Sequence, residues 1–216
     1  MQQENRTEIL KILPSEIEKK SFEIITEELG GRQFPKEEEP IIKRVIHTTA
    51  DFEYADQLVF SPGAVQAALE ALREGAVIVT DTNMGMAGIN KKSLASIGGQ
   101  AVCFMADEDV ARAAREKGCT RAAASMEKAA GLRRDCIFAI GNAPTALVRL
   151  YELIEEGRLH PKLIIAAPVG FVNVVPAKEL ILTLKDIPTI VARGRKGGSN
   201  VAAAICNALI YQVNRV

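Results

Sequence analysis

"AVIVTDTNMGMAGINKKSLASIGGQAVCF", residues 76–104, decides the fold. It opens on the apolar run "AVIVTD", passes through the helically spaced "NKKSLASIG", and closes on a second apolar run, "AVCF". Both runs are continuous rather than alternating, the pattern of strands buried on both faces of a parallel sheet. A helix between two such strands is a crossover unit.

The same alternation extends in both directions. Further strands are expected at "IIKRVIHTTA" (41–50), "CIFAI" (136–140), "KLIIAAP" (162–168) and "PTIVARG" (188–194). Between them "GAVQAALEALREG", "RAAASMEKAAGL", "APTALVRLYELIEEG", "AKELILTLK" and "SNVAAAICNALIYQV" carry helical spacing, several ending at glycine. Ahead of them "PSEIEKKSFEIITEELGG" predicts an N-terminal helix, with Ser15 as N-cap, Glu18 three residues on, and Gly30-Gly31 as its stop. "RQFPKEEEP" reads as a solvated acidic loop. The expectation is a single α/β domain over residues 15–216. Its mostly parallel sheet is flanked by helices on both faces, and residues 1–14 form an N-terminal extension.

Composition limits what such a domain does. The 216 residues are 48% hydrophobic and 25% charged, ordinary for a soluble domain. Lysine plus arginine equals aspartate plus glutamate at 27 each, so no global field draws in nucleic acid or an anionic membrane. Tryptophan is absent, which argues against base-stacking platforms. Cys103, Cys119, Cys136 and Cys206 are too widely spaced for a metal knuckle or redox pair and read as buried free thiols. The polar start has no signal-peptide core and no apolar run is long enough to span a bilayer, so a cytoplasmic location is expected.

In a parallel sheet, ligands bind at the carboxyl ends of the strands, beside helix N-termini. The segments there are "HTTAD" (47–51), "DTNMGMAG" (81–88), "GNAPT" (141–145), "PVGFVN" (168–173) and "RGRKGGSN" (193–200). In the last, Arg193, Arg195 and Lys196 precede Gly197, Gly198 and Ser199 at the start of a helix. Paired glycines let backbone N–H groups approach a ligand, and the helix end and cations favour an anion. A basic turn with Ser199 as N-cap is the bland alternative. The pattern is neither a Walker loop nor a dinucleotide fingerprint.

Gly141 and Asn142 suit a tight turn, and Pro144 the first turn of a helix. Asp81 and Asn83 end another strand; an aspartate there binds metal or hydroxyls as often as it caps a turn. Arg121 at a helix start favours a nearby anion, since cations are disfavoured there. No cluster has metal-ligand spacing, so no protein-bound metal is expected. His47 is one of two histidines and sits at a strand end, whereas His160 reads as a surface residue. An imidazole titrates near ~6.5 and suits proton transfer at physiological pH, although a lone histidine is more often structural than catalytic. No serine elbow or reactive cysteine competes with it. The pocket so outlined suits a polycarboxylate or phosphorylated substrate.

These motifs in order, "KKSFEIITEE", "RVIHTTAD", "FSPGAV", "TDTNMGMAGINK", "TRAAASMEKAAG", "GNAPTAL", "APVGFVNVV" and "RGRKGGSNVAAAICNAL", resemble the precorrin-8X (cobalt-precorrin-8) methylmutase family of corrin biosynthesis from about Ser15 to Tyr211. The resemblance implies an isomerase that moves a methyl group from carbon 11 to carbon 12 of the macrocycle, giving hydrogenobyrinic acid or its cobalt form, cobyrinic acid. It implies His47 as proton donor and acceptor. Ser21, Arg44, Thr48, Asn83, Arg121 and the loops holding Gly141, Asn142, Arg195, Lys196, Gly197, Gly198 and Ser199 are implied as contacts to a tetrapyrrole polycarboxylate. No cofactor is expected, with cobalt present only if the substrate carries it. A homodimer is implied, with neighbouring enzymes of the pathway as further partners. Pro176 stands where the pattern leads one to expect an acidic residue. A corrinoid-binding protein without catalysis, or an enzyme on a phosphorylated metabolite, would use similar residues. The first would tolerate loss of His47, and the second needs its cations concentrated in one cradle.

Overall fold

The structure, a computed structural model, describes residues 12–214; residues 1–11 of the expected extension and 215–216 lie outside them. The chain divides into two units, Met1–Gln33 and Phe34–Val216.

The first unit contains helix α1, Ile17–Glu28. Ser15 is not its N-cap. Glu16 holds that position in a helical conformation, with no side-chain cap. Its N–H donates instead to Leu13 O at 2.8 Å, so a turn of backbone precedes the helix where a serine cap was expected. Gly30 and Gly31 end the helix as anticipated, both in the left-handed region at φ 62° and 79°.

The second unit begins with a correction. "IIKRVIHTTA" is not a strand: residues Glu39–Thr49 form helix α2, with Pro40 in its first turn. Ile41, Ile42, Val45 and Ile46 are its buried residues, the i, i+1, i+4, i+5 stripe of a helix. β-Branched side chains prefer strands, but here burial of one helical face outweighs that propensity. Glu39 and Pro40, expected in a solvated loop, belong to the same helix.

After the short α3 (Tyr54–Gln57) comes a strand with no sequence-level expectation, β1 (Leu58–Phe60). Then follow α4 (Ala64–Arg73), β2 (Val77–Thr80), α5 (Asn83–Gly88), α6 (Lys91–Ser96), β3 (Gln100–Val102), α7 (Glu108–Lys117) and α8 (Arg121–Ala130). The chain closes with β4 (Cys136–Ile140), α9 (Pro144–Glu155), β5 (Leu163–Ala166), α10 (Val174–Leu182), β6 (Thr189–Ala192) and α11 (Ser199–Asn214).

The six strands lie in the order β1-β6-β5-β4-β2-β3. Only β1 is antiparallel, pairing Leu58 with Ala192 and Phe60 with Ile190 at one edge. Every residue of β2, β4, β5 and β6 is buried, because helices cover both faces. Val77, Val79, Phe138, Ile140, Ile164 and Val191 meet α8, α9 and α10 through residues such as Met126, Leu147, Leu150 and Ile181. On the other side α11 packs against β4, β5, α2, α4 and α5. Strand order reverses between β2 and β4, so the crevice outside their carboxyl ends is the switch point of the sheet.

All four cysteines are free, but only Cys136 and Cys206 are buried; Cys103 is half-buried and Cys119 exposed. Among the described residues, no helix is long and apolar enough to cross a membrane.

Candidate functional site

The switch point is occupied by the chain's own carboxylate. Asp81, directly after β2 and 1% exposed, accepts N–H bonds from Gly141 (2.8 Å), Asn142 (2.9 Å) and Ala143 (2.6 Å). Burial pushes its carboxyl above the ordinary aspartate value, and the three N–H donors pull against that shift. Of the two roles open to this aspartate, the structure gives it the capping one. It pins the turn that opens α9, and the N–H groups of Gly141 and Asn142 are spent on it rather than on a ligand.

The loop from β6 to α11 is fastened on all sides. Gly198 N–H donates to Ala167 O at 2.8 Å, and a Cβ on Gly197 would overlap that same carbonyl. A Cβ on Gly141 would stand 2.6 Å from Ser199 Cα. The glycines thus serve close passage of one loop over two others, and the Gly198 N–H expected to meet an anion is committed inside the protein. Ser199 Oγ shares a 2.7 Å hydrogen bond with Thr82 Oγ1, which also accepts from Gly85 N–H to cap α5. Gly170 N–H donates to Arg195 O at 3.1 Å. Loops after β2, β4, β5 and β6 therefore form one interlocked rim, from which the side chains of Asn83, Asn142 and Arg195 are exposed.

Two cations are placed by this rim. The Arg195 guanidinium lies 5.6 Å from the centre of the Phe171 ring. Lys196 Nζ bonds Asp51 Oδ2 at 2.5 Å and Glu53 Oε2 at 2.9 Å. That pairing holds the Asp51 carboxyl below and the Lys196 ammonium above their ordinary values. It also ties the end of α2 to the rim. Arg193 turns aside to Glu179, at 2.8 Å.

His47 is therefore in the last turn of a helix rather than at a strand end, a few residues before Asp51, whose bond to Lys196 ties that helix end to the rim. It is exposed, as is Thr48. Arg44, His47 and Thr48, at i, i+3 and i+4, share one face of α2. Arg44 and Thr48 line a cleft of about 270 Å³ whose other wall is α11, with Asn200, Asn207 and Tyr211. The Arg44 guanidinium is stacked 5.2 Å from the Tyr211 ring centre. Tyr211 is fixed in turn by Asn90 Nδ2, which donates to its hydroxyl at 3.0 Å.

The remaining expected contacts, Arg121 and Ser21, belong to other helices. Arg121 opens α8 in the opposite helix layer, where Thr120 and Thr145 hydroxyls, 2.8 Å apart, join the starts of α8 and α9. Ser21 is on α1 in the N-terminal unit, its hydroxyl donating to Ile17 O at 2.9 Å. Among the described residues, no three His, Cys, Asp or Glu side chains gather to hold a metal.

A cationic, glycine-packed rim at a switch point fits many anionic ligands; kinship narrows the choice. The profile of the precorrin-8X methylmutase family matches residues 16–212. This chain belongs to the precorrin-8X methylmutase family. A cobalt-precorrin-8 methylmutase of Priestia megaterium is 46% identical over 206 residues, 94% of this chain and 91% of that one. One of Salmonella typhimurium is 45% identical, over 93% and 96%. The solved precorrin-8x methyl mutase from Thermus thermophilus superposes with TM-score 0.84 at 40% identity, covering 93% of this chain and 98% of that one.

Within this methylmutase fold, Tyr211 and Lys178 carry contacts that the sequence reading missed. Tyr211 had only its place in a helical pattern. Lys178 gave a usable signal: with Val174, Ala177 and Ile181 it falls on the buried stripe of α10, where a charged residue is out of place.

Proposed function

We propose that this methylmutase moves the methyl group from carbon 11 to carbon 12 of the precorrin-8 macrocycle in cobalamin biosynthesis, with His47 as the proton donor and acceptor. The observation that carries this is the shared face of Arg44, His47 and Thr48 beside a cleft, on a helix whose end is fixed to the cationic rim. Arg44 and Arg195 supply guanidinium forks for acetate and propionate carboxylates. His47 gives a proton to the conjugated ring, which leaves the system electron-poor and lowers the barrier to migration. The proton returns to His47 once the methyl group has moved, so atoms and electrons balance as a net isomerisation without a cofactor. Cobalt, where present, arrives on the substrate.

The cleft, at about 270 Å³, is below the roughly 300–1,000 Å³ of pockets that enclose drug-sized ligands. It suits one acid side chain of the macrocycle, with the ring lying across the rim. The exposed apolar side chains of Met84, Val169, Phe171 and Val172 support a homodimer in which a second copy covers them. Four free thiols support a reducing cytoplasmic setting.

The test is His47→Ala, assayed by the visible spectrum with precorrin-8X and with cobalt-precorrin-8, alongside product affinity. Conversion should fall by about 10²–10⁴, the range of general acid–base help, with product still bound. Conversion at the wild-type rate would remove His47 from the chemistry. A wild-type chain that binds the corrin product yet converts neither substrate would make it a binder.

A further inference from the structure

Lys178 is fully buried on α10, yet its ammonium meets no carboxylate among the described residues. Its partners are two carbonyl oxygens of the β6–α11 loop, Gly194 O at 2.9 Å and Lys196 O at 2.7 Å. The carbonyl between them, Arg195 O, accepts from Gly170 N–H. All three successive carbonyls are therefore held, two of them by one buried amine, and the Arg195 side chain between them is exposed.

We propose that Lys178 is a positioning residue for the methyl shift, holding residues 194–196 so that Arg195 meets a substrate carboxylate. This rests on the reading that Arg195 binds the macrocycle. An apolar side chain of similar length would cover the same α10 stripe without a desolvated amine. What the lysine adds is the grip on the loop. Burial pushes its ammonium down to about 8, and the grip survives loss of the proton, because a neutral amine still has two N–H bonds for two carbonyls. Lys178 touches neither substrate nor reacting atoms; it acts through Arg195.

The deciding experiment is a cycle of Lys178→Met, Arg195→Ala and the double variant, reading KM, kcat and the Kd of the corrin product. R195A should raise Kd and KM about tenfold, the loss of one charge-assisted hydrogen bond. K178M should do the same while kcat stays within about threefold, the signature of lost binding rather than lost chemistry. The double variant should be no worse than either single one. K178Q keeps two N–H donors on a shorter arm and should bind product between wild type and K178M. If K178M does not fold, K178Q with R195A gives the same cycle. Unaltered product affinity in the lysine variant, or losses that multiply in the double, overturns the proposal while leaving Arg195 in place. Unaltered affinity in R195A alone overturns the reading of Arg195 itself, and Lys178's role with it.

Discussion

Asp81 shows how one residue can set the geometry of a rim without touching a ligand. Its carboxylate is matched to three N–H donors, and an amide in its place would turn an NH₂ group toward at least one of them. Asp81→Asn should therefore cost about 2–3 kcal/mol, the range for a buried hydrogen-bonded charge, read as a lower denaturant midpoint with unchanged slope. A midpoint equal to wild type would mean the turn after β4 holds itself. Lys178 predicts a different signature. Its value is about 8 when folded against about 10.5 unfolded, so between those pH values the unfolded chain binds more protons. The lysine's contribution makes stability rise with pH across that window, by up to about 3 kcal/mol, and the rise is missing from K178M. Parallel stability–pH curves for the two proteins would count against a buried, desolvated amine.

At the scale of elements, α2 is both the misread segment and the one that carries His47. Its C-cap, Ala50, sits in the left-handed region at φ 52°, with its N–H donating to Ile46 O. An L-residue pays about 1–2 kcal/mol for that conformation, and glycine does not. Glycine's extra freedom in the unfolded chain offsets part of the gain, so Ala50→Gly should stabilise by up to about 1 kcal/mol, seen as a rise in Tm of a few degrees. A lower Tm would show that the helix ends otherwise. The strands β2, β4, β5 and β6 were legible because burial on both faces leaves continuous apolar runs; β3, at the sheet edge, is only partly buried but carries a similar apolar run. β1 was not: three residues become a strand only by pairing with β6, more than 100 residues away in the chain. α2 was not, because its β-branched Ile and Val residues carry strand propensity that masks their helical spacing. The rim was legible as a set of strand ends, with Arg193, Arg195 and Lys196 as a basic cluster on one of them. What each loop binds was hidden, since Asp81 and Gly141 meet across 60 residues and nothing local announces the pair.

For the whole molecule, balanced charge leaves no long-range field to gather a polyanion, so affinity has to arise on the rim itself. The rim is also where apolar surface collects. In the Phe34–Val216 unit, the large exposed apolar side chains among the described residues are Met84, at the start of α5 after the β2 loop, and Val169, Phe171 and Val172, in the loop after β5. Phe171 is 82% and Val172 80% exposed, while the strands leading to them are fully buried. Those two loops are separated by one strand, β4, and so by about 10 Å of sheet. Apolar surface gathered at one edge marks a contact face. A second copy covers such a face twice over in a two-fold dimer, so one substitution acts at two places. In the proposed homodimer, with this face as the contact, Phe171→Asp would put a carboxylate into it, at a cost of at least about 3 kcal/mol, or a factor of 100 or more in the dimer Kd. Sedimentation over a range of concentrations should then find a dimer for the wild type and a monomer for F171D, with weaker product binding in the monomer. A dimeric F171D with weakened product binding would instead place Phe171 in the binding site, against the macrocycle or through its contact with Arg195. A dimeric F171D with normal binding would remove this loop from both roles.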